Sequence, residues 1–239
     1  MRTVCFTIDV EPDCPPYLAT QYRGVTEGLP LVLDLLEQRD VPATCFCTGE
    51  VAERFPRAVE DIRRRGHELG CHGHTHRRFD HIGQRDAEWE IAESMRVLRA
   101  SGDAVTSFRA PNLRFPNRYL GILESHDFTL DSSQARYKSD YYGAPASTRL
   151  TRVPASVTSS VLRLPAWIRD PWLLSLRSPV VLFVHPWEFV DLRRERLRLD
   201  CRFRTGAAAL RDAGDVLSLF AAHGATFVRM RDLASARAA

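Results

Sequence analysis

The chain has no apolar run approaching ~20 residues, which excludes a membrane-spanning helix. A strand-like segment begins at the third residue and leaves no room for a cleavable leader, so a cytoplasmic protein is expected. An excess of one charge is also missing. Against 33 basic side chains stand 30 acidic ones, a net of +3 over 239 residues, which gives no case for nucleic acid. A local basic run at 192–198 reads as a solvated helix face. Six cysteines (Cys5, Cys14, Cys45, Cys47, Cys71 and Cys201) lack the spacing of a disulfide framework or a zinc ribbon and read as reduced thiols. Cys45 and Cys47 flank Phe46 in an apolar strand, where cysteine behaves as a small hydrophobe. With no internal repeat and no linker, residues 1–239 read as one domain.

What is present is a soluble composition, 44% hydrophobic and 26% charged, and an alternation of strands and helices. Residues 3–10, 41–47, 67–71, 105–108, 128–130, 180–184 and 225–228 have the β-branched and apolar character of strands. Residues 29–39, 50–65, 86–100, 117–125, 204–222 and 232–238 have helical spacing. Trp89, Ile91, Met95 and Leu98 are the expected buried face of the third of these helices. Between 132 and 179 the pattern degrades, broken by Tyr137, Tyr141, Tyr142 and Pro145, Pro154, Pro165 and Pro171. Strands alternating with helices imply a mostly parallel sheet or barrel, and in such folds chemistry gathers at the carboxyl ends of strands.

Four of the eight histidines fall within residues 66–76. His72 and His76 are four apart, a spacing that one helical turn or a tight loop can converge on a divalent metal. The zinc-protease pattern is lacking, since no glutamate follows the first histidine. Other reactive side chains occupy the same kind of position elsewhere. Asp9 and Glu11 close the first strand, Arg109 follows the fourth, Asp131 ends the fifth and His185 ends the apolar run at 180–184. Asp9 and Glu11, two apart on an extended strand, project to one face. Glu11, His72 and His76 then make a two-histidine, one-carboxylate donor set of the kind that lowers the pKa of water from ~15.7 toward ~7. Asp9 is the candidate base and His185 the candidate acid, with Arg109 holding Asp9 and Asp131 orienting His185. Alone, Asp131-Ser132-Ser133 reads better as a turn or helix cap than as chemistry. His74 is set aside as a ligand, although it can exchange with His72 if the loop is not helical.

These segments resemble the polysaccharide deacetylase family (carbohydrate esterase family 4), in the family's order and across nearly the whole chain. The motifs are Thr7-Ile8-Asp9-Val10-Glu11, Gly66 to His72 with Thr75-His76, Arg109-Ala110-Pro111, Asp131-Ser132-Ser133, and Leu182-Phe183-Val184-His185-Pro186. Many members carry adjacent aspartates in the first motif; here Val10 intervenes, as in the Asp-x-Asp/Glu branch. The resemblance implies a distorted (β/α)7 barrel, a divalent metal, most often Zn2+, and hydrolysis of an N-acyl group on a sugar. The same site roles follow from it, with Pro111 and Trp187 as candidate substrate contacts. The expected partner is an N-acylated sugar or glycolipid of envelope biosynthesis. The opening third also resembles a branch that deformylates an aminosugar lipid, so a deformylase, a hydrolase of non-sugar amides and an inactive binding protein remain alternatives. Val153, Val157, Val161, Leu162, Leu164, Trp167, Ile168, Trp172, Leu173 and Leu174 offer either peripheral contact with the inner membrane face or a groove wall.

Overall fold

A computed structural model describes residues 2–100, 102–138 and 148–238; Tyr141, Tyr142 and Pro145 lie outside them. The helices and strands follow in the order β1 (Arg2–Val10), α1 (Leu29–Glu37), β2 (Ala43–Cys47), α2 (Gly49–Arg54), α3 (Pro56–Arg64), β3 (Glu68–Cys71), α4 (Gln84–Arg99), β4 (Ser107–Phe108), α5 (Leu120–Ser125), β5 (Leu130–Asp131), β6 (Thr151–Arg152), α6 (Ala166–Ser175), β7 (Val180–Val184), α7 (Leu199–Arg202), α8 (Ala207–Ala222), β8 (Ala225–Phe227) and α9 (Met230–Ala238).

Every strand pairing is parallel. The strand order is β6-β5-β4-β3-β2-β1-β7, with β8 added along the first residues of β1. The sheet curls, and its two edges approach through Ser156, whose amide donates to Val181 O and whose hydroxyl accepts from Val181 N. This is the expected distorted (β/α)7 barrel.

The period-two pleat sorts every strand into two faces. Val4, Phe6, Ile8 and Val10 of β1 face the helices and join the main apolar core. Cys5 faces inward, in a second cluster with Phe46, Leu130, Val181 and Met230. Thr7 and Asp9 share its parity, and so does Glu11 just past the strand. The interior is filled by unequal residues. A Cβ on Gly70 would lie 2.7 Å from the Phe46 ring, so that position stays small for the aromatic opposite. The amino-terminal end is closed by buried Glu68, which accepts from Thr44, Ser107 and the Arg231 amide.

The helical layer departs from expectation in three places. The helix expected at 50–65 is two, because Pro56 lacks the amide needed to continue through Phe55. Trp89 is 49% exposed, whereas Ile91, Met95 and Leu98 are buried. The buried stripe of α4 runs Ala87, Glu90, Ile91, Ser94, Met95, Leu98, and Trp89 lies off it. Residues 192–198 form turns and not a helix face. Leu192 and Leu197 there are pulled into an apolar cluster with Cys14 and Trp187, while Arg193 and Arg198 pair with Asp191 and Asp200.

The apolar residues of 149–174 divide. Val153, Val157, Val161, Leu162 and Leu173 are core, whereas Trp167, Ile168 and Trp172 of α6 are exposed.

Gly28 enters α1 directly against the segment after β7, and a Cβ there would lie 2.0 Å from Pro186 O. Backbone does not yield as a flexible side chain does. Gly28→Ala is expected to destabilise the fold by roughly 1–3 kcal/mol, read as a lowered urea midpoint. An unchanged midpoint would show that α1 and the segment after β7 can separate without loss.

Candidate active site

A cleft of about 420 Å³ opens at the carboxyl end of the barrel, lined among others by Asp9, Glu11, His72, His76, His185 and Trp187. Parity explains their meeting. Asp9 and Glu11 continue the inward face of β1, His72 that of Glu68 and Gly70 in β3, and His185 that of Val181 and Phe183 in β7.

His76 reaches the cleft by a different route. Its backbone is left-handed at φ 59°, a conformation costing roughly 1–2 kcal/mol for a residue other than glycine. The cost is offset by Glu90 of α4, which the sequence reading overlooked. Its buried carboxylate accepts from the amides of His74 and Thr75 and from the Thr75 hydroxyl, and so shapes the turn that carries His76. A glutamate on the buried stripe of α4 was the signal that could have revealed it.

Glu11, His72 and His76 each offer one donor atom, all within 4.8 Å of one another. Glu11 Oε2 lies 3.3 Å from His72 Nε2 and 2.6 Å from His76 Nε2. Its other oxygen accepts from the Trp187 indole at 3.2 Å. His72 Nδ1 donates to the Arg109 carbonyl at 2.7 Å, which directs Nε2 toward Glu11. Although burial works against its charge, His76, His185 and His72 hold the Glu11 carboxyl well below the usual carboxylate range. A converging carboxylate and two imidazoles with fixed orientation fit a divalent cation. His74 lies outside the set, its ring edge-on to Trp89.

Asp9 Oδ1 is held by Arg109 Nη1 at 2.7 Å. Arg109 is fully buried, and its other bonds go to Thr7 Oγ1 (2.7 Å) and Ser132 Oγ (3.0 Å). The guanidinium also covers the Phe46 ring at 4.3 Å.

The expected orienter of His185 is displaced. Leu130 faces the barrel interior and Ser132 reaches Arg109 inside it, so Asp131 between them points outward. There it pairs with Arg152 at 2.9 Å and accepts from the Ser133 amide. Its role is the turn. His185 Nδ1 instead donates to Glu188 at 2.7 Å, three residues on, and Glu188 pairs with buried Arg163 at 3.1 Å. Burial disfavours a charged His185, but Glu11 and Glu188 outweigh it and raise the imidazole to about 9. Glu188 is itself held low, with Arg163 and His185 overcoming burial.

Trp187 stacks on His185 at 4.7 Å and 17°. Pro111 is buried and outside the cleft lining, where its neighbours Asn112, Leu113 and Arg114 stand instead.

Residues 2–130 match the family model described as polysaccharide deacetylase, more than half of the chain. The chain belongs to the polysaccharide deacetylase family. Over 86 residues it is 35% identical to a peptidoglycan-N-acetylglucosamine deacetylase of Bacillus cereus, covering 36% of this chain and 31% of that protein. The chain spans about a third of the length of the curated relatives it matches. A structure from Mycobacterium smegmatis assigned to the polysaccharide deacetylases has a TM-score of 0.74 at 21% identity, covering 98% of this chain and 89% of that one. A Bacillus anthracis pseudoenzyme of the carbohydrate esterase 4 family has a TM-score of 0.67 at 16% identity, covering 97% and 65%. At such identities these structures share the fold.

The imidazolium of His185 is favoured by Glu11 first and then by Glu188. In the metal-free protein its NMR titration should centre near pH 9. Because the folded value lies above the ordinary 6.5, the stability it adds is complete below 6.5 and lost as pH rises through about 9. Glu188→Gln should move the midpoint down by about one unit or more. An unmoved midpoint would assign the shift to Glu11 alone.

Proposed function

We propose that this polysaccharide deacetylase family member is a metal-dependent hydrolase that removes an N-acyl group, most simply N-acetyl, from an envelope-type sugar. The observation that carries the reading is the meeting of three units at one barrel end. They are the donor trio Glu11–His72–His76, the Asp9–Arg109 pair and the His185–Glu188 pair.

Glu11, His72 and His76 would hold the cation, Zn2+ being the ion best matched to this donor set. A divalent ion there supplies Lewis acidity toward water and the acyl carbonyl. Asp9 takes the proton that attacking water gives up, its carboxylate held in place by Arg109. His185, carrying a proton on each nitrogen, donates from Nε2 to the departing amine nitrogen. Glu188 keeps Nδ1 protonated and the ring aimed while that transfer occurs. The products are a free amino sugar and a carboxylate. Trp187 braces both units, stacking on His185 and donating to Glu11.

A name on a relative supports the substrate class: the Bacillus cereus protein is a deacetylase of peptidoglycan N-acetylglucosamine. The pseudoenzyme of the same fold keeps an inactive binding protein as the second reading. The full set of donors, base and acid favours catalysis.

With zinc supplied, the protein is expected to release acetate from N-acetylglucosamine oligomers. Asp9→Asn should lower kcat by ~10² or more while metal content, by elemental analysis, stays at the wild-type level. His76→Ala should lose metal and activity together. A protein that binds no zinc, or an Asp9→Asn variant as active as wild type, would overturn this mechanism.

A further inference from the structure

One pair of nucleophiles on the cleft wall has no part in the proposed hydrolysis. Cys14 follows Glu11 by three residues on the loop after β1, and Cys201 belongs to the short helix α7. Far apart in sequence, both line the cleft and pack into the same apolar cluster beside Trp187. The two side chains are close enough to interact directly. Cys14 is buried, with its backbone left-handed at φ 39°, and Cys201 is half-buried.

The two thiols differ from the other four. Cys5, Cys45, Cys47 and Cys71 are buried, and burial pushes all of them up, Cys5 to about 12 and Cys71 to about 11. Cys201 moves the other way. Its interaction with Cys14 favours its thiolate first, and the charges of Arg198 and His185 add to that against burial and the Asp200 carboxylate. The same interaction, with burial, keeps Cys14 protonated. A half-buried thiol on the cleft wall whose ionised form is favoured, with a buried second thiol in the same cluster, is the arrangement of an attacking and a resolving cysteine.

We propose that Cys14 and Cys201 are an oxidisable dithiol built into the cleft wall, whose reactant is a low-molecular-weight disulfide. Cys201 thiolate attacks one sulfur of that disulfide, forming a mixed disulfide and expelling the first small thiolate. Cys14 then gives up its proton and attacks Cys201 Sγ, expelling the second. The protein loses two electrons and gains one S–S bond. The small disulfide gains the electrons and leaves as two thiols, which take the protons of Cys14 and Cys201. The bond clasps the loop carrying Pro15, Pro16 and Tyr17 to α7, both of which border the cleft. Its effect on turnover rests on the deacetylase reading; the chemistry of the pair does not.

The reduced wild-type protein is incubated with oxidised glutathione at mildly alkaline pH, and its free thiols are counted. Two of the six should disappear, and a proteolytic map should join Cys14 to Cys201. Cys14→Ser should stop with one glutathione on Cys201, and Cys201→Ser should keep all its thiols. Six free thiols in oxidised wild type, or a bridge between other cysteines, would overturn the assignment. Acetate release should fall severalfold on oxidation and return with dithiothreitol. Unchanged release from an oxidised protein mapped as bridged would overturn the clasp's action on the cleft. A protein inactive in both states but bridged as described would overturn the deacetylase reading alone.

Discussion

A guanidinium taken wholly out of water costs several kcal/mol unless it is paired and hydrogen-bonded, and the architecture of the site follows from how Arg109 meets that demand. Its bonds run to Asp9 and Thr7 on β1 and to Ser132 beyond β5, while its face lies on Phe46 of β2. Its own carbonyl accepts from His72, beyond β3. The buried cation therefore ties β1, β2 and the segment beyond β5 together and fixes the proposed base, while the backbone carbonyl of the same residue orients one candidate metal donor. Removing it would leave the Asp9 carboxylate buried without its countercharge, a larger loss than the absence of one contact.

The pleat determined how far the sequence could be read. On strands of five or more residues, parity carries directly into space. Asp9 and Glu11 share the inward face of β1, and His185 continues β7, as an alternating reading of the two segments expects. On the short strands the reading slips. Only Leu130 and Asp131 form β5, and nothing in so short a segment says which of them faces inward. Asp131 falls on the outward face, where a shift of one residue reverses the side chain's direction. Glu188 escaped notice for another reason. It reaches His185 across a single 3-10 turn, in which residues three apart come together, and a strand-based search does not look there. Two of the three donors to Glu90 are backbone amides, which side-chain pattern does not name, so its only trace in the sequence is an acid on the buried stripe of α4.

The barrel is uneven, and the unevenness falls in a functional direction. The strands β1, β2 and β7 are long and fully paired, while β4, β5 and β6 each have two residues. Asp9, Glu11 and His185 stand at the ends of the long strands, where backbone ladders restrain their direction. The half with short strands offers turns in place of ladders, with Asn112 and Leu113 both at positive φ beside the cleft. Rigid strands suit groups that must hold atoms in register for proton transfer. Irregular backbone suits the side of a cleft that must adapt to the shape of its ligand.

Burial alone does not separate structural from chemical acids in this molecule. Glu68 and Glu11 are both buried, at opposite ends of the barrel. Glu68 is surrounded by two hydroxyls and a backbone amide, each contributing a hydrogen bond and none a converging lone pair. Such a carboxylate is saturated and closes the floor. Glu11 is surrounded by imidazoles and an indole, and two of those imidazoles aim nitrogen lone pairs or protons at the same oxygen. One carboxylate and two imidazoles converging in this way are a donor set that fits a divalent cation. The difference lies in the partners: hydroxyl and amide donors end a network, whereas paired imidazoles leave it able to exchange protons for a metal.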